Sequence, residues 1–200
     1  MGAEREKDEN GRAKGNSNAK FAITLKSKEY VDHLWTNIFK SICTDTAPHP
    51  WPNPKSGKPI TQYHFSSRAL PSLSLIHDQW YKFNEETKSY KKIVPLNIEE
   101  LITPIGLSHW IMDDGYRDKK TVVLCTDSFT LLEVNNLLNA LKIKFDLQAS
   151  LKRRIKSNKE ICWRIRFSGK DQNINKLRSL LKPYFITSML YKLSINNDIT

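Results

Sequence analysis

Two adjacent carboxylates, Asp113 and Asp114, stand where an apolar helix stops. In the run Leu107-Ser108-His109-Trp110-Ile111-Met112-Asp113-Asp114-Gly115, Ile111, Trp110 and Leu107 precede Asp114 by helical intervals and share its face. Gly115 supplies a helix stop. The last carbonyls of a helix carry partial negative charge, so carboxylates placed there are repelled. A divalent cation removes the conflict, because carboxylates and helix-end carbonyls make a hard-oxygen site suited to magnesium. The same residues also fit a solvated Asp-Asp-Gly turn after a core helix, a common stop signal. On spacing alone both readings stand.

The second group of chemistry-bearing residues is cationic. Residues 147–156 and 160–167 alternate as the strands of a hairpin around the polar turn Ser157-Asn158-Lys159. Gln148, Ser150, Lys152, Arg154 and Lys156 fall on one face, with Ala149, Leu151, Arg153 and Ile155 on the other. In the partner strand Trp163, Ile165 and Phe167 oppose Arg164, Arg166 and Ser168. One face is predicted to pack on helices. The other, nearly all positive, suits DNA or RNA, because a two-stranded ribbon fits the major groove. Over 200 residues, 32 Lys and Arg against 21 Asp and Glu leave a net charge of +11. That excess points to nucleic acid before membrane, since no basic amphipathic stretch stands out, although a merely soluble basic protein gives the same sum.

The remaining composition narrows the class. Cys43, Cys125 and Cys162 have no metal-type spacing and lie in or beside apolar runs, which predicts buried reduced thiols. No stretch reaches the roughly 18 apolar residues of a membrane span. Residues 1–20 are charged and polar, without the apolar core of a signal peptide, and Glu4, Glu6, Asp8 and Glu9 disfavour a transit peptide.

An internal repeat organises the elements. Residues 21–25 read as a strand followed by an amphipathic helix over 28–42, with Tyr30, Val31, Leu34, Trp35, Ile38 and Phe39 as its apolar face. Residues 121–125 and a helix over 130–145, bearing Leu131, Val134, Leu137, Leu138 and Leu141, repeat that pair. Strand 61–67 leads into helix 70–81, and strand 161–167 into helix 171–181. Lys92 and Lys192 each follow the last helix of their copy. Residues 47–59 hold Pro48, Pro50, Pro52, Pro54 and Pro59 and are expected to be a loop.

Residues 107–115 resemble the second signature motif of the LAGLIDADG homing endonucleases, in the variant form x-x-W-[IF]-M-D-D-G. Further pieces are similar to the same family in the same order. They are His64-Phe65-Ser66-Ser67-Arg68, Lys91-Lys92-Ile93-Val94-Pro95 and Asp127-Ser128-Phe129-Thr130-Leu131-Leu132-Glu133-Val134, then Leu180-Leu181-Lys182-Pro183-Tyr184 and Ser188-Met189-Leu190-Tyr191-Lys192-Leu193. The likeness runs from about residue 20 to about residue 193.

The resemblance implies an α/β (α+β) fold of two pseudo-symmetric subdomains, residues 1–98 and 99–200. Each would be a helix–strand–strand–helix–strand–strand–helix unit whose saddle-shaped antiparallel sheet straddles DNA. It implies a magnesium-dependent, site-specific double-strand DNA endonuclease of the intron-homing type. An intron RNA maturase and an inactive nucleic-acid-binding relative are the alternatives. Asp114 would be the metal-binding aspartate, Asp113 a source of backbone oxygen or local charge, and Lys92 and Lys192 the active-site lysines. Gln62, His64, Arg68, Lys119, Lys120, Lys152, Arg153, Arg154, Arg164 and Arg166 would contact nucleic acid. A double-stranded target site, host intron RNA as a further partner, no membrane, and a mitochondrial location with plastid as the alternative complete the expectation.

One departure stands beside the match. The first copy should open with its own apolar helix ending in Gly-Asp, but the sequence starts Met1-Gly2-Ala3-Glu4. A reading frame continuing upstream and a decayed first motif are the two explanations. A monomer is expected, with a dimer as the alternative if the helix is missing.

Overall fold

The computed structural model describes residues 6–11, 13 and 17–195, together with the backbone of 2–4. The chain forms two compact units, Met1–Lys91 and Lys92–Thr200. The expected division at 98/99 moves upstream because residues after Lys92 are tied to the second unit. The Val94 N–H donates to the Glu133 carboxylate (3.1 Å), and the Lys144 ammonium donates to the Glu99 and Glu100 carbonyls (2.8 and 2.9 Å).

In the first unit, strand β1 (Gly2–Glu4) is followed by β2 (Lys20–Leu25) and helix α1 (Lys28–His33). Next come β3 (His49–Trp51), β4 (Gln62–Ser66), α2 (Pro71–Trp80) and a separate hairpin, β5 (Tyr81–Asn84) with β6 (Ser89–Lys92). The sheet order is β1-β2-β4-β3, antiparallel throughout. Ser27 caps α1 by accepting the Tyr30 N–H. The single helix expected over 28–42 is three segments. After α1 comes a π-turn, Leu34–Ile38, closed by Phe39 N–H to Leu34 O (2.9 Å), and then a 3-10 turn, Lys40–Ile42. Phe39 stacks on Phe21 with ring centroids 4.2 Å apart. Strand β3 corrects the proline-rich loop expected there. It is an edge strand, and an edge leaves a proline's missing N–H without a ladder partner to disappoint.

The second unit opens with short helix α3 (Ile98–Leu101) and then α4 (Pro104–Asp114), β7 (Gly115–Asp118) and β8 (Thr121–Leu124). Helix α5 (Leu131–Phe145), the hairpin β9 (Ala149–Ile155) and β10 (Ile161–Phe167), and α6 (Asp171–Leu181) follow. Its sheet runs β7-β8-β10-β9, the same order as in the first unit and again antiparallel. Gly2 opens β1 as Gly115 opens β7; Met1 and its role in a first motif lie outside the described residues. Thr130 and Glu133 form a reciprocal capping box at the start of α5. Val134, Leu137 and Leu141 of α5 are buried, as are Ile165 and Phe167 of β10 and Leu177 and Leu181 of α6. Strand β8 is buried along its whole length.

Gly115 joins α4 to β7 for a reason other than a left-handed turn. Its φ of −90° and ψ of 159° are extended backbone. A Cβ there would sit 2.6 Å from the Ile111 carbonyl oxygen and 2.9 Å from Ile111 Cα, so the strand leaves the helix too closely for any side chain. Gly115→Ala is therefore expected to cost about 1–3 kcal/mol, the range of overpacked sites. Urea denaturation checks this, and an unchanged midpoint would refute the close approach.

Candidate functional site

Helix α4 is fixed at both ends before its carboxylates emerge. At the N-terminus the Thr103 hydroxyl accepts the Gly106 N–H (3.1 Å), and Pro104 occupies the first turn, where its missing N–H costs nothing. Ser108 Oγ donates to the Pro104 carbonyl (2.8 Å) and to the Leu181 carbonyl (3.3 Å), tying α4 to the end of α6. Leu107 and Ile111 are fully buried, and Trp110 meets Phe129 edge-on at 6.1 Å.

At the C-terminus the carbonyls already have donors. Ile111 O accepts the Gly115 N–H, and Met112 O accepts Lys192 Nζ at 2.5 Å, with Ile111 O 3.4 Å from the same nitrogen. Asp114 O accepts the Cys125 N–H (3.3 Å). The carbonyls of Ile111, Met112 and Asp114, expected to face a cation beside the carboxylates, thus each accept a donor from the protein itself. Lys192, a positive charge at a helix C-terminus, relieves much of the conflict that the sequence suggested a metal would relieve.

The Asp114 side chain keeps an exposed surface, yet the protein around the helix end and the neighbouring Asp113 carboxylate raise its carboxyl above the ordinary range. The charges of Lys92 and Lys192 oppose that rise. Lys192 is lowered by burial, against the pull of Asp113 and Asp114. Among the described residues no three His, Cys, Asp or Glu side chains cluster as a metal cage. One exposed carboxylate still suits magnesium, which commonly binds through one or two carboxylates and completes its shell with water and substrate phosphate. The residues fit that ion on those terms, with Asp114 as the protein ligand.

The expected cationic face of the second unit exists but is not all positive. Register pairs Arg164 with Lys152, Arg166 with Ser150 and Cys162 with Arg154, so Lys152, Arg154, Arg164 and Arg166 share one face. Alternation along β7 brings Tyr116 and Asp118 to it. Asp118 Oδ2 accepts from Lys152 Nζ (2.7 Å) and Arg166 Nε (3.2 Å). Asp127 takes both arms of Arg164 (2.6 Å each) and Nη1 of Arg154 (2.5 Å). The Tyr116 ring lies 5.5 Å from the Arg164 guanidinium carbon and 5.7 Å from Lys152 Nζ. Burial alone would lower Arg164's affinity for its proton; the bonds from Asp127 and Tyr116 outweigh it. With its side chain only 13% exposed, Arg164 is an internal strut, whereas Arg166 at 40% and Arg154 at 47% remain reachable.

The other expected contacts divide similarly. Lys119 and Lys120 form the exposed β7–β8 turn, with Lys119 in the left-handed region at φ 56°. Arg153 pairs with Trp163 and projects from the opposite side of β9 to Lys152 and Arg154. In the first unit, Gln62 and His64 share a face with Thr24, His49 and Trp51 around a shallow hollow. Thr24 Oγ1 and His64 Nδ1 share a hydrogen bond (2.8 Å), and the two histidine rings lie 5.0 Å apart. Arg68 does not join them. Its Nη2 and Nε donate to the Ser41 and Ile42 carbonyls (2.8 and 3.4 Å), capping the helical segment before β3. Cys43 and Cys162 are buried and Cys125 is half-buried, all three as free thiols.

Sequence reasoning missed Tyr116, Asp118, Asp127, His49 and Trp51. A period-two reading of residues 115–118 would have placed Tyr116 and Asp118 on one face. Nothing in the local pattern announces Asp127, because Thr126 positions its loop through a bond to the Trp163 carbonyl (2.6 Å) across the sheet.

Two outcomes are expected of variants. Arg164→Ala strips a half-enclosed carboxylate of its bidentate partner and is expected to cost about 2 kcal/mol. Arg166→Ala, at an exposed pair, is expected to cost under about 1 kcal/mol; equal losses in thermal melts would contradict the strut assignment. A carboxyl raised in the folded state binds its proton more tightly there than in the unfolded chain. Stability therefore falls as pH rises through the raised value and stays lowered above it. Asp114→Asn is accordingly expected to melt higher than wild type at neutral pH in chelator, with the gap closing below the ordinary carboxylate range.

The match to known proteins is broad. The model of the LAGLIDADG DNA endonuclease family covers residues 2–174. Probable intron-encoded endonuclease 1 of Wickerhamomyces canadensis is 32% identical over 181 residues, 86% of this chain and 71% of the relative. Cytochrome b mRNA maturase bI2 of Saccharomyces cerevisiae is 32% identical over 140 residues, 70% of this chain but 32% of the relative. DNA endonuclease I-ChuI of Chlamydomonas applanata is 24% identical over 147 residues, 72% of this chain and 66% of the relative. The chain thus spans less than two thirds of the length of two of these three relatives. The solved structure of the homing endonuclease I-WcaI bound to its DNA recognition sequence aligns with a TM-score of 0.73 at 25% identity, over 98% of this chain and 81% of that one. With a family model covering most of its length, the chain belongs to the LAGLIDADG DNA endonuclease family.

Proposed function

We propose that the chain binds duplex DNA and cuts it at a specific site by phosphodiester hydrolysis, as an intron-homing endonuclease using magnesium. The observation that carries this reading is α4, a buried helix delivering the exposed carboxylate Asp114, with the charges of Lys92 and Lys192 felt at that carboxylate. Magnesium supplies neutralisation of the scissile phosphate and acidification of water. Asp114 holds the cation, and Asp113 adds negative charge beside it. Lys92 stabilises charge that develops on the phosphate. Lys192 acts one step removed, fixing the helix end that carries Asp114. Lys152, Arg154 and Arg166 supply contacts from the second unit, with Lys119 and Lys120 at its rim and Gln62 and His64 from the first. Likeness to a DNA-bound homing endonuclease supports the duplex as substrate.

A maturase reading has one observation in its favour, the similarity to a cytochrome b mRNA maturase. On that reading the same cations grip structured RNA through its phosphates. A mitochondrial location, with plastid as the alternative, is the reading that likeness to intron-encoded relatives supports.

Duplexes selected from a random library, incubated with magnesium, test the enzyme. Asp114→Asn is expected to abolish cutting and to leave binding intact or stronger, because a negative charge facing phosphate is gone. Affinity is expected to fall linearly with salt on logarithmic axes, as counterions are released by several Lys and Arg contacts. Cutting that survives Asp114→Asn would put the active site elsewhere, and binding indifferent to salt would remove the cationic-face reading. Intron RNA binding and splicing that persist without any DNA cutting would favour the maturase.

A further inference from the structure

The Asp118 cluster on the second unit's sheet has more organisation than stability or charge requires. A face made to attract phosphate would gain nothing from an acid set among its cations. Ion pairs this exposed also contribute little to folding. Yet Asp118 Oδ2 takes both Lys152 Nζ (2.7 Å) and Arg166 Nε (3.2 Å), drawing two cations from different strands onto one oxygen. The bond from Lys152, then that from Arg166, holds the Asp118 carboxyl below the ordinary range, so it stays ionised at neutral pH. The Tyr116 ring near Lys152 Nζ adds a further restraint on that lysine.

The consequence lies in which atoms remain. Arg166 engages Asp118 through Nε, and no bond from Nη1 or Nη2 to a protein acceptor occurs among the described residues. Its side chain is 40% exposed. Two parallel N–H groups on an oriented guanidinium match the O6 and N7 acceptors that guanine presents in the major groove. Arg164 offers no such edge, because Asp127 takes Nε and Nη2 while Nη1 lies against the Tyr116 hydroxyl at 3.5 Å.

Resting on the duplex-DNA reading above, we propose that Asp118 is a positioning residue for sequence recognition, holding Arg166 so that its Nη1/Nη2 edge reads a guanine. The carboxylate does not touch the base. It fixes the fork before binding, which removes rotamer entropy from the cost of recognition, and its charge penalises docking of the same arginine on phosphate.

The test is selection of duplexes from a randomised library by wild type, Asp118→Asn, Arg166→Lys and the double variant, with affinity for an unrelated duplex measured alongside. Wild type is expected to select a guanine at one position that both single variants relax by roughly tenfold. Asp118→Asn is expected to bind the unrelated duplex as well as wild type or better, since a negative charge has been removed. The double variant should be no less selective than either single one, because both act on the same contact. If Asp118→Asn fails to fold, Arg166→Lys, which keeps the charge and loses the fork at an exposed site, must still relax that guanine. Unchanged preference at every position, or equal weakening on all duplexes, would overturn the inference while leaving DNA binding standing. A wild type that selects no sequence at all would overturn both.

Discussion

The second unit depends on resolving one electrostatic conflict, the emergence of carboxylates from the negative end of a buried helix. Burial of Leu107 and Ile111 and the bonds from Ser108 fix where α4 lies. Its end must then carry Asp113 and Asp114 without fraying. Lys192 answers the carbonyls of Met112 and Ile111, the Cys125 N–H answers that of Asp114, and Gly115 lets β7 start directly against the last turn. Because β7 begins there, its pairing with β8 is set, and through β8 that of β10 and β9. The row of side chains that includes Tyr116 and Asp118 thus inherits its place from the helix end. The candidate cleavage centre and the cationic face are consequences of a single junction.

The same logic recurs on the sheet at a lower energetic scale. Four cations are gathered by two carboxylates, so the face stays positive while its side chains are ordered in advance. Ordering has opposite effects on the two kinds of contact. Phosphate contacts depend mainly on charge and lose something to neighbouring acids, whereas base contacts depend on direction and gain from a fixed fork. The two arginines of β10 show the division. Arg164, enclosed and bidentate with Asp127, cannot present its fork without breaking a strong pair, and Arg166 can.

Legibility in the sequence followed the range of the interaction. Helix α6 and strand β10 have the bounds that periodicity predicts, since both are set by one long face packed on a core. The capping box at Thr130 likewise depends on residues three apart. What was illegible depended on distant partners. Strand β3, disguised by its prolines, exists because β4 offers a free edge. The widening of the helix after α1 is not encoded by any glycine or proline within it. Arg68, read from the sequence as a cation for nucleic acid, also donates to the carbonyls of Ser41 and Ile42, a role that no local pattern announces. Lys192 matched a family position by order along the chain, yet its bond to the end of α4 crosses 80 residues. The acids of the sheet were invisible for the same reason, because alternation within a hairpin counts only the hairpin's own residues.

Two units with one strand order have acquired unlike surfaces, and the difference lies in what each can contribute to binding. The first presents Thr24, His49, Trp51, Gln62 and His64, without a lysine or arginine among them. The hollow itself holds no cation for counterion release, and Lys20 lies on the same side of β2 as Thr24. Its amide, imidazoles and exposed indole are suited to hydrogen bonds and apolar contact at base edges. The second presents its four cations and the carboxylates that order them. Topology fixes that alternate residues of each sheet face outward, and nothing in it fixes their charge. One strand order, repeated within the chain, thus carries two chemically distinct surfaces.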